Sequence, residues 1–191
     1  MTPAADDPGG VYAESPLSPN PWTQGAKRLL FMRAAFPDDP AEPIGHADAQ
    51  SLMSQAGEWL EQSSYGTATF TTDVTPLLTL PQTKLWYSQQ PLTQLLSDAR
   101  AAALQSGFDT ANYQFDIVRH SAIPGWNFTG LSITGGKGFW LQSSSVGVVV
   151  HELGHNLGLE HANAWASSSD SIVGSGTNSE YGNVFDTMGQ P

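Results

Sequence analysis

The sequence predicts an α+β domain in which a mixed, twisted sheet carries helices packed on its faces. Strand-like and helical segments alternate along the first part of the chain, an order typical of strands connected through helices. Two short strands punctuated by glycines then follow, and they lead directly into a third helix. The 191 residues suit one domain, and 39% apolar residues are enough to build its core.

The first elements are marked by the spacing of their apolar residues. Arg28 to Phe36 is a continuous apolar run closed by a proline-rich turn, which predicts a strand buried on both faces. Apolar residues recur at helical spacing from Ala47 to Gln62, and Thr67 to Thr75 has the threonine and aromatic content of a strand. A second helix is predicted after Pro91, with Gly107 as its stop.

The later elements lead into a segment rich in histidine. Strands are predicted at Tyr113 to His120, at Leu131 to Thr134 and at Gly138 to Gln142. A third helix is predicted to start after Ser145, which would cap it. The proline-rich residues 1–25 are predicted to form an extended leader outside the domain.

Composition excludes several classes of protein. The net charge of −11 argues against nucleic acid or an anionic membrane surface as partner, because both need a basic patch. There is no cysteine, so cysteine-ligated zinc and cysteine nucleophiles are excluded. No apolar run approaches the roughly 20 residues that span a bilayer. The first ten residues lack the features of a signal peptide, so we expect a cytosolic protein or a processed piece of a secreted one.

Residues 148–161, VVVHELGHNLGLEH, place three of the five histidines within eleven residues. On a helix, His151 and His155 are about 40° apart around the axis, so their rings can converge on one metal ion. The longer side chain of Glu152 can reach the open side of that ion and hold a water molecule there. The alternative is a solvated helix that happens to be rich in histidine.

His161 can join the same ion only if the helix ends before it. In a continuous helix it would lie about 9 Å further along the axis than His155 and be turned about 240° away. Gly158 is where the helix can end, because glycine adopts the left-handed conformation at little cost. The sequence therefore predicts a helix break at Gly158, after which the chain doubles back beneath the ion.

The segment HELGHNLGLEH (residues 151–161), followed by FDTMG (residues 185–189), resembles the metzincin zinc peptidases, whose signature is H-E-x-x-H-x-x-G-x-x-H and a Met-turn. The wider pattern is most similar to the gametolysin-like branch. This resemblance implies that His151, His155 and His161 bind Zn²⁺ and that Glu152 is the general base. It also implies that Met188 forms an apolar floor beneath the histidines.

The resemblance covers roughly residues 26–191 and implies a metzincin-like catalytic domain. Residues 26–160 would form the upper lobe with the zinc helix, and 161–191 the start of a lower lobe, cut short soon after Met188. The implied function is that of a secreted, monomeric zinc metalloendopeptidase acting on protein or peptide substrates. In such an enzyme zinc activates a water molecule that attacks the peptide carbonyl.

Further expectations concern the substrate. In metzincins the strand before the zinc helix is the sheet edge that aligns an extended peptide, so Gly138, Phe139 and Trp140 are candidate substrate contacts. The competing interpretation is that the two aromatic rings belong to the core. Tyr181 is a candidate donor to the oxyanion, with a packed loop residue as the alternative.

Other polar residues are candidates for structural roles or for a calcium site. Asp186 could orient a ligand histidine or cap a turn. The segment Ser167 to Glu180 is predicted to be a loop, and its oxygens suit a structural Ca²⁺. His46, at a helix start, and His120, at a strand end, are predicted to be structural.

Two other functions remain open at this point. In a thermolysin-like zinc peptidase the third ligand would be a downstream glutamate, and Glu180 is the candidate. A zinc-stabilised binding module without activity is the rival from another class, although the presence of Glu152 weighs against it. Deformylase-type use of the motif needs a cysteine ligand, which the chain lacks.

Overall fold

A computed structural model describes residues 21–168, 170 and 174–189 of the chain. Most of the proline-rich leader predicted at residues 1–25 lies outside the described residues. In chain order the elements are β1 (Gly25–Ala35), α1 (His46–Ser63), β2 (Ala68–Thr79), α2 (Lys84–Tyr87), α3 (Leu92–Gln105), a 3-10 turn (Thr110–Asn112), β3 (Phe115–Arg119), β4 (Gly130–Ser132), β5 (Gly138–Leu141), α4 (Val146–Asn156), β6 (Ala164–Ser167) and β7 (Gly176–Ser179).

The first five strands form one mixed sheet in the order β2-β1-β3-β5-β4. Neighbouring strands are parallel except for β4, which runs antiparallel to β5. The last two strands form a separate antiparallel pair. This arrangement confirms the predicted α+β class and the mixed sheet. It also puts β4 at one edge, a position that matters for the site below.

Strand β1 is buried on both faces, as its apolar run predicts. Leu29 and Phe31 point to the face covered by α1 and α4, whereas Leu30 and Met32 point to the face covered by α3. Successive side chains of a strand alternate between faces, so one continuous apolar run supplies two cores. Burial of each such side chain contributes about 1.5–3 kcal/mol. The sheet is thereby fixed as a rigid platform for α4.

Strand β2 continues to Thr79, beyond its predicted end at Thr75. Its pairing with β1 contains an irregularity in which Phe31 and Arg33 face Val74 and Leu77, so β2 holds one extra residue there. The extra stretch contains Pro76, which has no N–H to donate to the ladder. At the bulge the Arg33 amide donates a hydrogen bond to the Thr75 hydroxyl at 3.2 Å. Because of this bulge, β2 continues beyond Pro76, although proline usually ends a strand.

The helices pack on the sheet through one face each. In α1, Ala49, Leu52, Met53 and Ala56 are buried at the spacing predicted for an amphipathic helix, and intervening positions are exposed. Within the described residues no helix is long and apolar enough to cross a membrane.

The segment predicted as a loop from Ser167 to Glu180 contains a β-hairpin arm. Ala164 pairs with Ser179 and Ser167 with Gly176, which defines the antiparallel pair β6–β7. Residues 169 and 171–173 lie outside the described residues. The prediction missed these strands because AWAS and GTNS are short and lack apolar alternation. Backbone pairing, rather than a buried face, stabilises them.

Trp22, from the end of the predicted leader, contacts the domain. Its indole N–H donates to the Asn156 carbonyl at 2.8 Å, and its ring meets Phe115 edge-on at 5.2 Å. The contact links the start of β1 to the end of α4. The packed part of the chain therefore begins at or before residue 22.

His120 has a structural environment, in keeping with its prediction. It is fully buried directly after β3, edge-on to the rings of Phe36 and Trp126. Its Nδ1 donates to the Ser121 carbonyl at 2.8 Å. Burial lowers the pKa of His120 to about 4, because the charged ring would lose its hydration. His46 is the exposed first residue of α1.

We predict that His120 makes the protein lose stability on mild acidification. The unfolded chain protonates this ring near its ordinary pKa of about 6.5, whereas the folded protein does so only near 4. The free energy of unfolding therefore falls as the pH drops through this window, by about 3 kcal/mol in total. Urea unfolding of wild type and His120→Gln at several pH values should show a stability difference that shrinks with falling pH. The exposed His46→Gln is the control, and equal pH slopes for wild type and His120→Gln would contradict the prediction.

Candidate metal centre

Helix α4 carries the first two histidines and is held in place by packing. Val148, Val149 and Val150 are buried against the sheet and α1. β-Branched residues are modest helix formers, so tertiary contacts rather than intrinsic propensity stabilise this helix. The helix starts after Ser145 as predicted, but the Ser145 hydroxyl makes no capping hydrogen bond.

The helix ends at the predicted break. Gly158 has a φ of 100°, in the left-handed region that favours glycine. The Gly158 amide donates to the His155 carbonyl at 2.8 Å, and the Leu159 amide donates to the Gly154 carbonyl at 2.9 Å. These two bonds form a Schellman motif, which satisfies the last helical carbonyls while the chain turns back. The turn brings His161 alongside the helix.

The three histidines converge. Nε2 of His151 lies 3.1 Å from Nε2 of His155, and the His161 ring centroid lies 4.8 Å from that of His155. One ligand atom from each of the three lies within 4.8 Å of the others. Two nitrogens bound to one tetrahedral zinc at about 2.0–2.1 Å would be about 3.3 Å apart, so the spacing suits zinc. The geometry fits the three-histidine set that the sequence predicts.

Each ring is oriented through its outer nitrogen. Nδ1 of His151 donates to the Thr187 carbonyl and Nδ1 of His155 to the Leu159 carbonyl, both at 2.8 Å. Nδ1 of His161 lies 2.8 Å from Oε1 of Glu180. With the proton on Nδ1, Nε2 carries the lone pair that a metal needs. All three rings are therefore held in the tautomer that binds zinc.

Met188 lies against the back of α4. It is buried, and its sulfur packs so closely on Gly154 that a side chain there would collide with it. The Met188 amide donates to Oδ1 of Asp186 at 2.8 Å. Asp186 thus caps this turn, one of the two roles considered for it, while the neighbouring Thr187 carbonyl orients His151.

Glu152 is a buried carboxylate beside the triad, with only 5% of its surface exposed. Burial raises its pKa, because the charged carboxylate would lose its hydration. Gly130 of β4 lies directly over it, since a Cβ there would come within 2.6 Å of Glu152 Oε1. Only glycine leaves room for the carboxylate at this point of the edge strand.

The triad opens into a cleft of about 230 Å³ between β4 and the segment after α4. The cleft is lined by Gly130, Leu131, Ser132, Thr134, His151, Glu152, His155, Glu160, His161 and Tyr181. Strand β4 therefore forms one wall of the cleft, and the three histidines lie at the base of the cleft.

The predicted substrate contacts at Gly138, Phe139 and Trp140 need correction. These residues form β5, which lies inside the sheet between β3 and β4. Phe139 is 0% and Trp140 2% exposed, and the Trp140 indole donates to the Leu92 carbonyl on the far face. They belong to the core, and the strand that borders the cleft is β4.

Tyr181 contacts the third histidine. Its ring centroid lies 3.8 Å from that of His161, and its backbone has a φ of 58°, unusual for a residue other than glycine. The Tyr181 amide donates to Oδ1 of Asn163 at 3.1 Å, which helps to hold this conformation. Burial, together with the charges of Glu180 and Glu152, raises the pKa of Tyr181, so its hydroxyl stays protonated at neutral pH.

Within the described residues, the group of ligand-type side chains close enough to share an ion is the histidine triad. Glu180 lies on the outer nitrogen of His161, which favours His161 over Glu180 as third ligand. The described part of the Ser167 to Glu180 segment offers no comparable group for Ca²⁺.

Comparison with known proteins adds a family. A family model described as Peptidase M66 matches residues 89–189, which contain β3 to β7 and the whole histidine site. Among solved structures the chain is similar to archaemetzincin from Methanopyrus kandleri, with 19% identity over 79% of this chain and 84% of that chain and a TM-score of 0.43. The comparison with curated proteins finds no match. The gametolysin-like branch is compatible with the family match and stays a prediction.

We predict that the break at Gly158 is needed for metal binding. In Gly158→Ala, an alanine in the left-handed conformation should cost about 1–2 kcal/mol. The helix end can relieve this cost by straightening, and His161 would then move away from the other two histidines. Zinc affinity, measured by competition with a chromophoric chelator, should fall about tenfold.

Gly107→Ala is the matched control for this prediction. Gly107 follows α3 with a φ of 91°, makes the same pair of turn bonds and, like Gly158, has open space around its Cβ position. The control should lose similar stability in urea unfolding and keep its zinc affinity. Unchanged zinc affinity in Gly158→Ala would refute the role of the break.

Proposed function

Because the chain belongs to the peptidase M66 family, for which zinc is expected, we propose that it is a zinc-dependent endopeptidase. His151, His155 and His161 would hold the metal, and Glu152 would be the general base. One observation carries the proposal: three histidines, each with its outer nitrogen engaged, converge beside a buried carboxylate in an open cleft. Bound zinc supplies a Lewis acid that polarises a carbonyl and brings the pKa of a water molecule to about 7.

Glu152 moves the proton in this mechanism. Its carboxylate takes a proton from the water that attacks the peptide carbonyl, and later delivers it to the nitrogen of the leaving amine. Burial raises the pKa of this carboxyl, which makes it a better proton acceptor than an ordinary glutamate. The close cover by Gly130 keeps the carboxylate in one place between the two steps.

Tyr181 would stabilise the negative charge that develops on the carbonyl oxygen. Its ring lies against His161, it lines the cleft, and its protonated hydroxyl can donate a hydrogen bond. The hydroxyl would act together with the metal, from the side of the cleft opposite β4.

Strand β4 would align the substrate. Within the described residues β4 is paired only with β5, so its outer edge can add an extended peptide by backbone hydrogen bonds. A cleft that runs along an edge strand suits cleavage within a chain, which supports an endopeptidase. Protein or peptide substrates are the expected partners, and the net charge of −11 disfavours polyanions.

The remaining parts of this proposal rest on the metzincin resemblance. They are an extracellular, monomeric enzyme whose catalytic domain spans residues 26–191, with the lower lobe beginning at His161, and with Met188 as the floor of the metal site. The position of Met188 against Gly154 supports that last role.

We predict that Glu152→Gln lowers kcat/KM for a peptide library by about 10²–10⁴-fold, because the amide cannot accept the proton. Zinc content should stay at one ion per chain. The control is Glu160→Gln, which changes another carboxylate of the same cleft and should lower kcat/KM far less than Glu152→Gln. If wild type and Glu152→Gln are equally inert with zinc bound, the chain is a zinc-stabilised binding module and the peptidase proposal fails. A thermolysin-like site would instead require Glu180→Ala, and not His161→Ala, to abolish zinc binding.

For Tyr181, the variant Tyr181→Phe keeps the ring on His161 and removes only the hydroxyl. We expect kcat to fall about 10²-fold with little change in KM, since the hydroxyl acts on the transition state. Tyr65→Phe is the matched control, because Tyr65 also has a positive φ, of 55°, and is almost fully exposed away from the cleft. Equal kcat for Tyr181→Phe and wild type would remove Tyr181 from the mechanism.

A further inference from the structure

We propose that Glu180 is a positioning residue for the third zinc ligand, and that the β6–β7 hairpin brings it to His161. The inference rests on the zinc site of the proposed function. Glu180 lies outside the zinc-binding motif and orients the His161 ring together with Tyr181.

His161 needs an orienting partner more than the other two histidines do. His151 and His155 are buried on a helix that the sheet holds in place, whereas His161 lies in the extended segment after the Gly158 break. Its side chain is 23% exposed. No regular helical or strand backbone fixes its direction, so side-chain contacts must do so.

The hairpin supplies these contacts by its register. Ala164, at the start of β6, pairs with Ser179, at the end of β7. The residues just before β6 therefore lie opposite those just after β7. The Asn183 amide donates to the Ala162 carbonyl at 3.2 Å and the Tyr181 amide to Oδ1 of Asn163 at 3.1 Å, so two further hydrogen bonds join the residues before β6 to those after β7. The strand pairing and these two hydrogen bonds together bring Glu180 beside His161.

Glu180 and Tyr181 constrain the His161 ring in two directions. The carboxylate of Glu180 lies 2.8 Å from Nδ1, at the ring's outer edge, and the tyrosine ring covers one face at 3.8 Å between centroids. With Nδ1 engaged by the carboxylate, Nε2 is the nitrogen left to bind a metal shared by the three histidines. A ligand oriented in advance loses less rotational freedom when the metal binds.

His161 differs from the other ligands in the kind of partner it has. His151 and His155 use main-chain carbonyls, which a substitution at the partner residue leaves in place. His161 uses a carboxylate that a single substitution can remove. The Glu180 side chain is 66% exposed, so water screens its charge and the hydrogen bond is the larger effect. A glutamine at this position should therefore replace most of its contribution.

The test measures zinc affinity of the full chain for wild type, Glu180→Ala and Glu180→Gln, by competition with a chromophoric chelator. We expect Glu180→Ala to bind zinc about 10–100-fold more weakly and Glu180→Gln to recover most of that loss. Glu160→Ala is the control, since it removes a carboxylate of the same cleft that lies next in sequence to His161. The control should bind zinc like wild type.

A second variant, together with a folding measurement, separates lost orientation of His161 from loss of the hairpin. Glu180→Asp keeps the charge but shortens the side chain by one methylene, so it should also weaken zinc binding if the orientation of His161 is what matters. Circular dichroism and the visible spectrum of the Co²⁺-loaded variants report folding and ligand geometry separately from peptide hydrolysis. Wild-type zinc affinity in both Glu180→Ala and Glu180→Asp would overturn the proposal.

The outcomes also separate this inference from the proposed function. Zinc binding that depends on His161 but not on Glu180 would overturn the positioning role alone. A wild-type chain that binds no zinc would overturn both. A chain that binds zinc through Glu180 in the predicted way, yet hydrolyses no peptide, would sustain the positioning role and reject the peptidase.

Discussion

The helix break at Gly158 is the constraint on which the site depends. A helix presents two histidines to one ion easily, but a third can join them only if the backbone reverses within a few residues. The left-handed glycine achieves this reversal while the Schellman bonds satisfy the helical carbonyls. The same turn exposes the Leu159 carbonyl, which orients His155. One backbone conformation thus places one ligand and fixes the tautomer of another.

The rest of the site is assembled from segments that are distant in sequence. The turn that contains Thr187 orients His151, the hairpin orients His161, and the edge strand covers Glu152 through Gly130. Each of these contacts joins a residue of the motif to a residue outside it. The rigid two-sided sheet holds α4 still, so the surrounding segments only have to be correct relative to that helix.

The parts that could be predicted from sequence are those set by local rules. The buried strand at β1, the amphipathic α1, the break at Gly158 and the three histidines follow from periodicity, glycine chemistry and motif spacing. What failed was pairing: β5 was taken as the sheet edge, and the β6–β7 hairpin was taken as a loop. Strand neighbours and backbone-paired polar strands leave no period in a single sequence. The role of Glu180 was hidden for the same reason, because it depends on hairpin register.

The segment after Gly158 exposes most of its large apolar side chains. Among its described residues Met188 is the buried apolar side chain, while Trp165, Val184 and Phe185 are exposed, the last of them by 98%. The described part of this segment therefore buries little apolar surface of its own. The three histidines join α4 to this segment and, through their outer nitrogens, to the turn at Thr187 and to the hairpin. A metal ion at their centre would therefore serve the lower part of the molecule as a cross-link, tying its folding to metal supply.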